Sequence, residues 1–137
     1  MAVRGVRGAI VVDQDDAQVI LGATRQLLQA VFQANPGMCK EEIGCAFFTV
    51  TKDLCSTYPA RAAREMGWEQ VPMMCSQEIP VPGGLARCIR LMVLWNTELS
   101  QDAVQHVYLG EAAILRPDLN HHLPQCGSVD QAHSHNS

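Results

Sequence analysis

Three stretches of this chain read as strands of a covered sheet: residues 2–12 (AVRGVRGAIVV), 43–51 (IGCAFFTVT) and 87–96 (RCIRLMVLWN), the last open to a helical first turn after Gly84. The first is apolar at both parities, so neither of its faces suits water. One long amphipathic helix is available to cover such a sheet. Ile20, Ala23, Leu27, Leu28, Val31 and Phe32 recur at helical spacing over residues 16–34. Asp15 with Gln18 resembles a capping box at its start, and Asn35-Pro36-Gly37 ends it. Tyr58-Pro59 opens a short helix from Ala60 to about Met66, which Gly67 ends. Residues 70–78 read as extended, with Pro72 marking an edge or a bulge. Pro82-Gly83-Gly84 reads as a turn, and 106–109 and 112–116 as two short strands about Gly110-Glu111. The expected class is α+β: a mixed sheet of about five strands with one long and one short helix on one face. The other face is then left for a partner subunit.

With 137 residues the chain suits one domain. No internal repeat divides it. Residues 120–137 (NHHLPQCGSVDQAHSHNS) carry almost no apolar content and read as a loose tail behind a domain spanning 1–119. The tail holds His121, His122, Cys126, His133 and His135, at spacings that match no zinc pattern. The net charge of −4, with no basic stripe, argues against nucleic acid. No run approaches ~18 apolar residues, so no membrane span is expected. The six cysteines form no CxxC pair and several sit in apolar runs, as free buried thiols do. With no apolar leader after Met1, a reducing cytosol is the expected compartment.

Within the strand 87–96, Cys88, Arg90, Met92 and Leu94 share one face and Ile89, Leu91 and Val93 the other. Arg90 is therefore a lone cation among apolar neighbours, and a buried guanidinium needs an anion. Two partners fit: a structural carboxylate such as Glu78, or an anionic ligand. Arg7 repeats the pattern between Gly5 and Gly8, whose missing side chains leave room for something bulky. Arg61 and Arg64 are three apart on the short helix and share a face, which reads as solvated. Tyr108 lies in an apolar strand, and Arg116 precedes Pro117 near the end. Cys75 and Glu78, three apart in an extended segment, point to opposite faces. No histidine accompanies Cys75 as a base. The set is rich in arginine and poor in acid–base groups. It suits a site that holds a small polyanion and stabilises charge electrostatically.

The segments VRGVRGA, TYPARAARE, VPMMCSQEIPVPGGLARCIR and HVYLGEAAILRPDL resemble, in order and spacing, the AroH-class chorismate mutases over residues 2–119. The resemblance implies the cofactor-free Claisen rearrangement of chorismate to prephenate, on the route to phenylalanine and tyrosine. It implies a homotrimeric pseudo-α/β-barrel with active sites between subunits. By motif, Arg90 takes the place of the arginine on the substrate's ether oxygen. Glu78 takes that of the carboxylate on the substrate hydroxyl, with Cys75 beside it. Arg7 and Tyr108 match groups that hold a substrate carboxylate. Tyr58, Ala60, Arg61 and Arg64 match the wall given by the adjacent subunit, and Leu115 and Arg116 the C-terminal lid. Arg61 and Tyr58 stand where the family often has lysine and phenylalanine. Met73 and Met74 replace smaller or polar residues beside Cys75, and Met74 joins the binding set. A non-catalytic trimeric module that binds a small carboxylate, and a plain interaction domain, are the competing readings.

Overall fold

In a computed structural model, which describes residues 1–115, the chain folds around a five-stranded mixed sheet. The strands are β1 (Ala2–Val11), β2 (Ile43–Val50), β3 (Met73–Gln77), β4 (Cys88–Thr97) and β5 (Val107–Tyr108), in the order β3-β2-β4-β1-β5. The helices are α1 (Ala17–Ala34) and α2 (Ala60–Glu65). β4 lies at the centre. It runs antiparallel to β1 over a ten-residue register, Ala2↔Thr97 to Val11↔Cys88, and antiparallel to β2, Ile43↔Trp95 to Val50↔Ile89. β3 is parallel to β2, and β5 is parallel to β1. α1 joins β1 to β2 and α2 joins β2 to β3, because parallel strands need a crossover.

Both helices cover one face. Ile20, Thr24, Leu27, Leu28 and Val31 of α1 are buried at helical spacing against Val6, Ile10, Phe48, Ile89, Leu91 and Val93. Gly8 explains how closely α1 sits: a Cβ there would lie 3.1 Å from Leu27 Cδ1. The room beside Gly8 thus belongs to the protein's own core rather than to a ligand. Asn35 ends α1 and ties it to the segment leading into β5. Its side-chain amide donates to Val31 O (2.9 Å) and Gln105 O (3.0 Å), and its Oδ1 accepts from Gln105 N (2.8 Å). That clamp lies just ahead of β5 and so fixes where Tyr108 emerges.

Two local expectations change. The helix cap is Asp16, whose carboxylate accepts from Gln18 N (3.0 Å) and Val19 N (3.1 Å). Asp15 instead holds the 55–56 loop, accepting from Cys55 N and Ser56 N at 3.0 Å each. The second of the two short strands is a 3-10 helix, Gly110–Ile114. Gly110 takes φ +56, which turns the chain out of the sheet, and Ala112 buries against Ala9, Cys88 and Tyr108. Among the described residues the two-residue β5 pairs with β1 alone. The proline-marked edge agrees: Pro72 immediately precedes β3, which is an edge strand. Val81–Gly84 closes as a turn with Gly84 N donating to Val81 O (3.1 Å) and Gly83 at φ +87, the geometry of a type II turn. Among the described residues no helix is long and apolar enough to cross a membrane. The tail 120–137, with its histidines and Cys126, lies outside the described residues, as does Arg116.

Candidate active site

Neither α1 nor α2 packs on the sheet's second face, where the 3-10 helix Gly110–Ile114 touches one end through Ala112. Antiparallel register puts Ala9 and Thr49 on either side of Arg90, and Arg7 and Phe47 on either side of Met92. All project from this face, since Ile89, Leu91 and Val93 point into the core. A hollow of about 330 Å³ forms there, with Arg7, Arg90, Glu78, Thr49 and Tyr108 among its walls. Residues distant in sequence are thereby brought together on four strands and the end of a fifth.

Arg90 and Glu78 face each other, Nη1 to Oε2 at 3.6 Å, with side chains 33% and 27% exposed. The Thr49 hydroxyl donates to the same Oε2. Glu78 leaves the sheet edge but stays pinned to it, its N–H donating to Val50 O (2.9 Å). So the carboxylate is anchored by a backbone bond, a hydroxyl and a cation. Its other oxygen remains for a ligand's donor. Arg7 differs: among the described residues no carboxylate lies within ion-pair distance of it. Its backbone N–H donates to His106 Nδ1 (2.9 Å), which fastens the cleft strand to the segment leading into β5. Tyr108 is almost fully buried, packs on Ala9, Cys88 and Ala112, and lines the same hollow as the arginines. Burial pushes the Cys88 thiol up to about 11, Arg90 acting in the opposite sense.

A second, wider hollow of about 780 Å³ adjoins the first and shares Glu78 and Arg90 with it. The 79–86 loop and Leu115 line it, so Leu115 stands beside the cleft. The remaining candidates are placed differently. Cys75 aligns with Phe48 and packs against the core, so its thiol faces away from Arg90. Its backbone is another matter. Ala46 N donates to Pro72 O and Glu78 N to Val50 O, so even-numbered residues of β3 address β2. By strand alternation Cys75 turns its N–H and C=O off the free edge. Met74 aligns with Phe47 and is well exposed on the cleft face. Tyr58, Arg61 and Arg64 are exposed and line neither hollow. Arg61 Nε donates to Glu65 Oε2 (3.2 Å). Ala60, the first residue of α2, is buried, and its methyl serves this chain's own core.

Thr49, Phe47 and Met92 are cleft residues that sequence reasoning did not single out. Met92 shares a parity with Arg90, which was a signal; Phe47 and Thr49 lie in 43–51, where no candidate was named. What the sequence lacked was the register that sets Thr49 opposite Arg90.

Comparison with known proteins is consistent along the whole described chain. The family model for chorismate mutase type I matches residues 3–119. Chorismate mutase AroH of Thermus thermophilus is 52% identical over 117 residues, covering 85% of this chain and 96% of that protein. Chorismate mutase AroH of Bacillus subtilis (strain 168) is 42% identical over 121 residues, covering 88% and 94%. A solved chorismate mutase from Clostridium thermocellum superposes with a TM-score of 0.79 at 42% identity, covering 81% of this chain and 98% of that one. A cleft built on two arginines and an anchored carboxylate, in a sheet of this topology and with this breadth of similarity, places the chain in the chorismate mutase type I family.

Proposed function

We propose that the cleft between β1, β2 and β4 is where this chorismate mutase, an isomerase, turns chorismate into prephenate. The observation that carries the assignment of roles is the convergence of Arg90, Glu78 and Arg7 in one hollow. The reaction breaks a C–O bond and makes a C–C bond within one molecule, and it needs neither nucleophile nor proton transfer. In the transition state, negative charge gathers on the ether oxygen. Arg90 is the cation aimed there, and it stabilises that state more than the ground state. A guanidinium suits the task because it stays charged and offers a rigid fork of donors. Its attachment to a central strand, pinned on both sides, keeps it in place before substrate arrives.

Glu78 accepts from the substrate hydroxyl through the oxygen that Thr49 leaves open, and the Cys75 backbone at the sheet edge adds a contact beside it. Arg7, over Tyr108, holds a substrate carboxylate. These contacts select the compact conformer in which the reacting carbons meet. Tyr58, Arg61, Arg64 and the Ala60 backbone act on the cleft of a neighbouring copy. The exposure of the Tyr58, Arg61 and Arg64 side chains, away from this chain's own cleft, supports that reading, as do Phe47 and Met74 exposed on the sheet face that α1 and α2 leave uncovered. Leu115 and Arg116 form the lid. The assembly is a homotrimer, the catalytic domain is 1–119 with 120–137 as an appended tail, and the enzyme works in the cytoplasm without a cofactor.

The direct test is the loss of chorismate absorbance on adding purified protein, with Arg90→Ala as control. The shared site has its own test. Arg64→Ala and Arg90→Ala, each inactive alone, regain part of the activity when unfolded and refolded together. No recovery on mixing would overturn the intersubunit arrangement.

A further inference from the structure

Three residues before Arg90 the backbone does something costly. Arg87 takes φ +50, among the described residues the one non-glycine with positive φ. For a long side chain this left-handed conformation is strained and persists only where its surroundings insist on it. The carboxylate of Asp53 takes the Arg87 N–H, and Val12 takes its other bonds. Arg87 N lies 3.1 Å from both Oδ1 and Oδ2 of Asp53. Asp53 Oδ1 also accepts from the Thr51 hydroxyl, which in turn accepts from Cys88 N (3.0 Å). Backbone bonds complete the clamp: Val12 N to Arg87 O (2.9 Å) and Thr51 N to Cys88 O (3.1 Å). The Arg87 side chain bonds away from the cleft, Nε to Val12 O (3.0 Å).

We propose that Asp53 is a positioning residue for the rearrangement: by holding Arg87 left-handed, it sets how β4 begins and therefore where Arg90 points. Charge-assisted acceptance from a backbone N–H is among the stronger hydrogen bonds, and its loss releases a strained residue at the same moment. β4 then starts from an ordinary extended or helical Arg87, and the side chains that follow shift along the cleft. A misplacement of about 1 Å at a reacting centre can cost about 100-fold in rate. Asp53 touches no substrate in this scheme; it acts through Arg87, Cys88 and then Arg90. The inference rests on the proposed role of Arg90 on the ether oxygen.

The experiment compares kcat and KM for Asp53→Ala, Asp53→Asn, the double variant Asp53→Ala/Arg87→Gly, and Arg90→Ala, each well below its melting temperature. Asp53→Ala is expected to lower kcat at least about tenfold and to change KM less than about threefold. Asn retains an oxygen for Arg87 N–H and is expected to keep most of the activity. Gly adopts positive φ freely, so the double variant is expected to recover most of what Asp53→Ala loses. Wild-type kcat in Asp53→Ala, with Arg90→Ala inactive, overturns the proposal alone. So does a loss that neither Asn nor Arg87→Gly repairs, because the strained residue is then not the link. Normal turnover in Arg90→Ala overturns instead the assignment on which the proposal stands. Should Asp53→Ala fail to fold, Thr51→Val carries the same test. It deletes only the hydroxyl between Asp53 and Cys88; a several-fold fall in kcat is expected, and an unchanged kcat refutes the clamp.

Discussion

Replacing Arg90 by alanine separates catalysis from stability, because the structure gives the residue much to do for one and little for the other. Its ion pair with Glu78 spans 3.6 Å. At an effective dielectric of about 20, unit charges at that distance attract by about 5 kcal/mol before solvent is considered. Both side chains are about one-third exposed, and pairs of that kind contribute on the order of 1 kcal/mol or less. Glu78 would also keep its bonds to Thr49 and Val50. The variant should therefore melt within about 5 °C of the wild type. Removing a preorganised donor from developing negative charge costs about 10²–10³ in rate, or about 2.7–4 kcal/mol. The assay is initial chorismate consumption by absorbance, paired with thermal denaturation followed by circular dichroism. A variant that melts normally and keeps more than about a tenth of wild-type turnover would refute the placement of Arg90 on the reacting oxygen. Inactivity that merely tracks unfolding would refute the separation.

Three further outcomes follow from particular contacts. Phe48 is fully buried beneath α1, so Phe48→Ala should lower stability by about 3–5 kcal/mol in urea denaturation; a change under about 1 kcal/mol would contradict the packing. The Ser56 hydroxyl, with the Cys55 thiol and the two backbone N–H groups, holds the Asp15 carboxyl below its ordinary range. Its folded value lies below its unfolded one, so its stabilisation is present above the unfolded value and lost as pH falls through the folded one. Asp15→Ala should accordingly weaken the acid dependence of melting, and an unchanged slope would count against the loop clamp. The Cys88 thiol, at about 11 against an ordinary 9, is raised by burial. Its contribution is intact below pH 9 and fades between 9 and 11, where the unfolded thiol ionises first. At pH 8, alkylation mapped by mass spectrometry should modify exposed Cys39 and Cys55 and spare Cys88; early labelling of Cys88 would show that the strand opens.

Much of the molecule was legible in its residue pattern. The boundaries of α1 follow from apolar spacing and from Asn35-Pro36-Gly37, and β1, β2 and β4 from their apolar runs, since burial of a periodic face is a local statement about sequence. The opposite orientation of Cys75 and Glu78 was legible for the same reason. The capping role went to Asp16 rather than Asp15 because the two are adjacent and the loop at Cys55 and Ser56, forty residues away, claims one of them. The strand expected at 112–116 gave way to a 3-10 helix over Gly110–Ile114 because alanine-rich residues carry little preference and, among the described residues, no strand lies beside them to pair with.

The sequence by itself determined that this chain forms a mixed sheet under one long helix, that lone arginines lie in its strands, and that its motifs match the mutase family. Tertiary structure alone decided which residues meet. Register between strands places Thr49 beside Arg90 and Arg7 beside Met92, and register depends on contacts far apart in the chain. It also decided that Arg87 is left-handed. No local preference favours that conformation; a carboxylate thirty-four residues earlier holds it there.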